Sequence, residues 1–155
     1  MNAIAMLKDQ HREISHLFDE LQKDAGWSDL DARFAFLAKK LLIHLELEDA
    51  LFYPEAENVD AARVGEAAGE HHAMRELIED LLRVNPLLPQ HVVRIEELER
   101  WAAAHFKEEE GVIFPRFREV VGVAILEDLG EEMAEFLALG GLDGEERRSV
   151  AAEAG

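Results

Sequence analysis

A histidine stands four residues ahead of a glutamate at His44 and Glu48, and again at His105 and Glu109, within HLELEDALFYPE and HFKEEEGVIFPR. Four residues along an α-helix is a rotation of about 400°, so each pair lies on one face at about 6 Å and can chelate a cation. Leu41, Leu45, Phe52, Ala102, Phe106 and Ile113 flank the two pairs, which turns that face inward. A buried carboxylate without a partner is costly. Few lysines or arginines fall on the inward stripes, so a metal cation is the economical partner for both glutamates.

Two further histidines share inward stripes: His11 with Leu7, Ile14 and Phe18, and His71 with Ala67, Met74 and Ile78. His72 lies about 100° further round, nearer Glu76 and Glu79, and is expected at the surface, although a modest rotation of its helix would exchange it with His71. His16 and His91 are also expected at the surface. The candidate ligands are therefore His11, His44, Glu48, His71, His105 and Glu109. Four imidazoles and two carboxylates suit a pair of first-row transition ions with terminal histidines and bridging carboxylates; zinc and manganese suit these donors as iron does. Phe18, Phe52, Phe106 and Ile113 are candidates to line the pocket. Tyr53, beside Pro54, is expected to be a structural hydroxyl, with donation to a bound species as its alternative. Ferritin-like di-iron bundles repeat a Glu-x-x-His motif on two helices, whereas this chain holds only Glu13 to His16.

The elements that must position these groups follow from apolar spacing. Ile4, Leu7, Ile14, Leu17, Phe18 and Leu21 predict a first helix ending near Gly26. Ser28 with Asp31 resembles an N-cap followed by an acidic first turn, and Phe34, Leu37, Leu41, Leu45 and Leu51 carry a second helix to Pro54. Asp60 is placed to cap a third helix through Ile78 and Leu81. Pro89 suits the first turn of a fourth, which is expected to stop at Pro115. The two histidine-glutamate stretches align at an offset of 61, and HREISHLFDEL from His11 aligns with HHAMRELIEDL from His71 at an offset of 60. Leucines alone would align any two amphipathic helices, but not their histidines and glutamates as well. The fold class is all-α: an up-and-down four-helix bundle over residues 1–119, built from a duplicated helix pair with its functional residues around a pseudo-two-fold axis. Residues 120–155 are expected to add a weaker helical segment, interrupted by Gly122 and Gly130, and a polar tail on the same domain.

The 155 residues carry 16 Lys plus Arg against 34 Asp plus Glu, a net charge of −18 that repels phosphate backbones, so no nucleic-acid partner is expected. With no cysteine, a metal must be held by nitrogen and oxygen. No leader-like or membrane-spanning apolar run is present, and a cytoplasmic location is expected.

The set His11, His44 to Glu48, His71 and His105 to Glu109, with FYP and IFP trailing the pairs, resembles the hemerythrin-like or HHE cation-binding family over roughly residues 5–118. The resemblance implies two iron ions joined by an oxo or hydroxo group, with Glu48 and Glu109 as bridging carboxylates. It implies small-molecule partners such as O2, peroxide or NO, acting on a sensor, a scavenger or an iron-handling protein. Oxygen carriers of the family have a further histidine where Arg75 stands, and its cluster-repair members carry cysteine, absent here. Enzymatic scavenging of peroxide or nitric oxide is one expectation. The alternative is a metal-stabilised signalling or interaction module without turnover, in which residues 120–139 offer the contact for a second copy or a protein partner.

Overall fold

The computed structural model describes residues 1–23 and 29–140. Helix α1 (Ala3–Lys23) is followed by α2 (Leu30–Leu47), a π-helical turn (Glu48–Phe52), α3 (Tyr53–Ala56) and α4 (Ala61–Arg83). A 3-10 turn (Pro89–His91) leads into α5 (Val92–Glu108), a second π-helical turn (Glu109–Ile113) and α6 (Phe114–Gly140). No strand occurs among the described residues. Among the described residues no helix is long and apolar enough to cross a membrane. The chain is an all-α bundle of four main helices, with α6 carrying the last one onward.

Local chemistry explains the boundaries. The Asp60 carboxylate accepts a hydrogen bond from the Arg63 N–H at 3.2 Å and caps α4. Asp31 stands in the first turn of α2 as expected, and its Oδ1 accepts from the Leu87 N–H at 2.9 Å, tying the α4–α5 connection to the start of α2. Residue 29, an aspartate with φ 64°, precedes α2 in the left-handed region. The proposed end near Gly26 and the Ser28 cap lie outside the described residues. The guanidinium of Arg33 donates to the carbonyls of Glu20 and Leu21 at 3.1 and 3.0 Å, satisfying acceptors near the end of α1.

The expected stop at Pro115 is not observed. At both Pro54 and Pro115 the chain passes through the proline in helical form, because a π turn immediately precedes it. The Tyr53 N–H reaches back five residues to the Glu48 carbonyl and the Phe114 N–H to that of Glu109. The widened turn relieves the clash that a proline ring makes with the preceding turn of a regular helix. Each of the two glutamates opens its π turn. Helix α6 then bends at Gly122, whose φ of 80° and ψ of 174° leave the helical region, and returns along α1. Gly130 does not interrupt it. Gly130 is buried where the N-terminal backbone crosses, and a Cβ there would lie 2.3 Å from the Met1 carbonyl oxygen.

Two apolar clusters fill the interior. One gathers Ile14, Phe18, Phe34, Leu41, Met74, Ile78, Leu98 and Phe106. The other gathers Ile4, Leu7, Phe52, Phe114, Phe117, Leu129 and Met133, so the far part of α6 closes that end of the bundle against α1. Between them lies a polar layer, since His11 falls between Leu7 and Ile14 on α1, and His71 between Ala67 and Met74 on α4.

Candidate metal centre

The polar layer consists of His11, His44, Glu48, His71, His105 and Glu109, each at most 2% exposed. It contains no lysine or arginine. Helices α1, α2, α4 and α5 each contribute one histidine, and the first residues of the two π turns contribute the glutamates. His72 is 76% exposed and pairs with Glu76 at 3.2 Å, while His16 pairs with Glu20 on the surface at 3.0 Å. His91 Nδ1 accepts from the Leu88 N–H at 2.9 Å, a turn contact far from the layer.

All four buried imidazoles are oriented in the same way. His11 Nδ1 lies 2.8 Å from Glu110, His44 Nδ1 2.7 Å from Gln10, His71 Nδ1 2.9 Å from Asp49 and His105 Nδ1 3.0 Å from Glu70. Every one of these partner atoms is an oxygen that only accepts, so the proton sits on Nδ1 and the Nε2 atom is directed inward. This arrangement orients histidine ligands in metal sites generally. The four outer partners were not among the sequence-predicted residues. Their signal was adjacency: Asp49 and Glu110 directly follow the two glutamates, and Gln10 and Glu70 directly precede His11 and His71.

Inside the layer the donor atoms crowd together and only some of them satisfy one another, as His71 Nε2 and His105 Nε2 do at 2.9 Å. His44 Nε2 and His71 Nε2 approach Glu48 Oε1 at 3.0 and 3.3 Å, while His11 Nε2 and His105 Nε2 approach Glu109 Oε1 at 3.2 and 3.3 Å. Yet His11 Nε2, His44 Nε2, both Glu48 oxygens and Glu109 Oε1 have no hydrogen-bond partner. Buried polar atoms are rarely left so. Two overlapping sets of four could each hold a metal ion: His11, His44, Glu48 and Glu109, and Glu48, His71, His105 and Glu109, with ligand atoms of each set within 4.8 Å of one another. Both carboxylates belong to both sets.

Without a cation, protons take up the charge. Burial pushes the His105 imidazole down, but the Glu109 carboxylate, with Glu48 and Glu70 close by, outweighs it and carries the pKa up to about 12. His11 and His71 are likewise lowered by burial and raised more strongly by the carboxylates beside them. Burial acts to raise Glu48, but the neighbouring His44 charge and the close approach of the layer's other groups hold it well below the ordinary carboxylate value.

One group breaks the symmetry. The Tyr53 hydroxyl, buried, donates to Glu109 Oε2 at 2.9 Å and lies 2.9 and 3.3 Å from the Nε2 atoms of His71 and His105. It faces the second ligand set. Burial and the nearby carboxylates raise its pKa far above that of a free phenol, so the hydroxyl keeps its proton while the site is metal-free. At the other set His11 stacks on Phe106 and Phe114, with centroids at 4.0 and 5.7 Å. Of the expected pocket lining, Phe106 is in direct contact, whereas Phe18 packs in the first apolar cluster and Phe52 and Ile113 in the second. Phe114 was missed as lining; its alignment with Tyr53 in the repeat was the available signal.

Comparison with known proteins identifies the family of this bundle. The family model for the hemerythrin HHE cation binding domain matches residues 2–117, and the chain belongs to that family. The crystal structure of a hemerythrin HHE cation binding domain-containing protein from Mycobacterium kansasii superposes with a TM-score of 0.78 and 29% identity, covering 90% of this chain and 86% of that one. A DNA nickase from Nostoc sp. is 25% identical over 119 residues, 76% of this chain but only 34% of the nickase. The chain thus spans about a third of that relative's length.

Proposed function

We propose that His11, His44, Glu48, His71, His105 and Glu109 hold two iron ions, with His11 and His44 terminal on one, His71 and His105 terminal on the other, and Glu48 and Glu109 bridging. The observation that carries this reading is that both buried carboxylates are shared by both ligand sets while retaining unpartnered oxygens. Two imidazoles and two carboxylate oxygens per ion leave coordination positions open, as small-molecule chemistry requires. Iron bound there would supply redox reactivity toward O2, peroxide or nitric oxide. The protein's part is to fix the four imidazoles through their Nδ1 bonds, to offer the Tyr53 O–H beside one ion position, and to keep bulk water out with Phe106, Phe114 and the two apolar clusters. Residues 1–140 form one domain in this reading, and a cytoplasmic setting suits a cysteine-free iron protein.

Elemental analysis of freshly purified protein should give about two iron atoms per chain, with charge-transfer absorption in the near ultraviolet when oxidised. A colourless protein with stoichiometric zinc would overturn the iron assignment. A second reading has one observation in its favour: α6 exposes Val120, Val123, Ile125 and Leu139, a surface suited to a second copy or a protein partner. Metal-dependent self-association without peroxide or nitric oxide consumption would select that signalling role. The net charge of −18 leaves nucleic acid outside both readings.

A further inference from the structure

The four outer partners obey the internal repeat, with one chemical exception. Asp49 and Glu110 correspond at the offset of 61 and serve His71 and His11, and both are carboxylates. Gln10 and Glu70 correspond at the offset of 60 and serve His44 and His105. Both bonds run between equivalent helices, α1 to α2 and α4 to α5, at 2.7 and 3.0 Å. Geometry is conserved between the halves, while an uncharged amide stands where the other half has a carboxylate.

We infer that Gln10 makes the ion position of His11 and His44 the weaker and faster-exchanging of the two, and that Glu70 makes the position of His71 and His105 the tighter one. The inference rests on the two-ion reading above. A carboxylate behind an imidazole N–H draws on that proton, raises the donor strength of the opposite nitrogen and adds a negative charge that a bound cation feels; a neutral amide gives only a dipole. His44 has the amide and His105 the carboxylate. Arg75 grips Asp49 through Oδ2 and offsets part of its charge, but Oδ1 remains on His71. The contrast therefore falls on the Gln10 and Glu70 pair.

Metal release tests this independently of turnover. Metal-free protein is loaded with two Co²⁺ per chain under anaerobic conditions and mixed with excess chelator, and the visible bands are followed. Release should occur in two phases of one ion each. Gln10→Glu, nearly isosteric, should slow the fast phase about tenfold and leave the slow phase within about twofold, whereas Glu70→Gln should speed the slow phase about tenfold. Thermal melts of the metal-free variants establish that each is folded. A single phase in the wild-type protein, or a fast phase indifferent to Gln10→Glu, overturns the inference while the two-ion reading stands. Uptake of fewer than two Co²⁺ per folded chain overturns both.

Discussion

The two halves of the molecule agree where they face the axis and differ at its edge. His11 corresponds to His71, His44 to His105 and Glu48 to Glu109, and each glutamate opens a π turn just ahead of a proline. Around this shared set, Gln10 corresponds to Glu70, Phe114 to Tyr53, and the short α3 to the start of the 27-residue α6. A carboxylate common to both candidate ligand sets constrains both halves at once, because a change in either glutamate touches both. An outer partner or a helix extension touches only one side and is free to diverge.

The two shared glutamates offer the largest test of this division. Glu48→Ala or Glu109→Ala should reduce bound metal from about two ions per chain to one or none, a loss in affinity of about 100-fold or more, because each carboxylate belongs to both sets. Elemental analysis after dialysis against chelator measures it, and retention of two ions would mean that the halves bind independently.

Acidity separates the metal-free from the loaded protein. His105 is raised to about 12 from 6.5, so in the metal-free chain its stabilising contribution is complete below pH 6.5 and is lost as pH rises toward 12. Glu48 is depressed below 4.5, so its contribution is present above pH 4.5 and is lost on acidification. The metal-free protein should therefore melt highest between about pH 4.5 and 6.5 and lower by pH 8 to 9. Proton competition for Nε2 acts on the loaded protein in the opposite direction, so the metal-dependent gain in melting temperature should shrink in mild acid. Melts of both forms across this range check the sign; a metal-free curve flat from about pH 6 to 9 would show that the imidazole-carboxylate contacts do not couple to folding.

Smaller effects probe the divergent edge. Tyr53→Phe makes the halves alike and removes the hydroxyl bond to Glu109, at a cost of about 1.5–3 kcal/mol in the metal-free protein by denaturant melts. Phe114→Tyr should not compensate, since its ring stacks on His11. Gly130→Ala should cost about 1–3 kcal/mol by forcing α6 from the Met1 carbonyl, while Gly65→Ala, with open space around it, should gain about 0.5–1 kcal/mol. An unchanged melt for Gly130→Ala would mean that the α6 extension is not anchored on α1. The smallest effect is expected from His16→Ala, His72→Ala and His91→Ala, which should leave metal content unchanged, because none enters the buried layer.

The sequence by itself determined the bundle and the membership of the buried layer. Helical periodicity places a residue on a face, and His11, His44, His71 and His105 each fall on an apolar stripe where only a satisfied or metal-bound imidazole is affordable. The internal repeat also separated His71 from its neighbour His72 by register. What the tertiary structure decided lies beyond the reach of periodicity. That the helix passes Pro115 depends on a π turn, whose five-residue hydrogen bond leaves no mark in apolar spacing. The pairing of Gln10 with His44 and of Glu70 with His105 spans two helices, and contacts of 34 and 35 residues in separation are fixed only by how the helices are packed. Gly130, which reads in one dimension as a helix breaker, becomes the place where two backbones cross, because whether a missing side chain weakens a helix or admits a neighbour depends on what stands opposite.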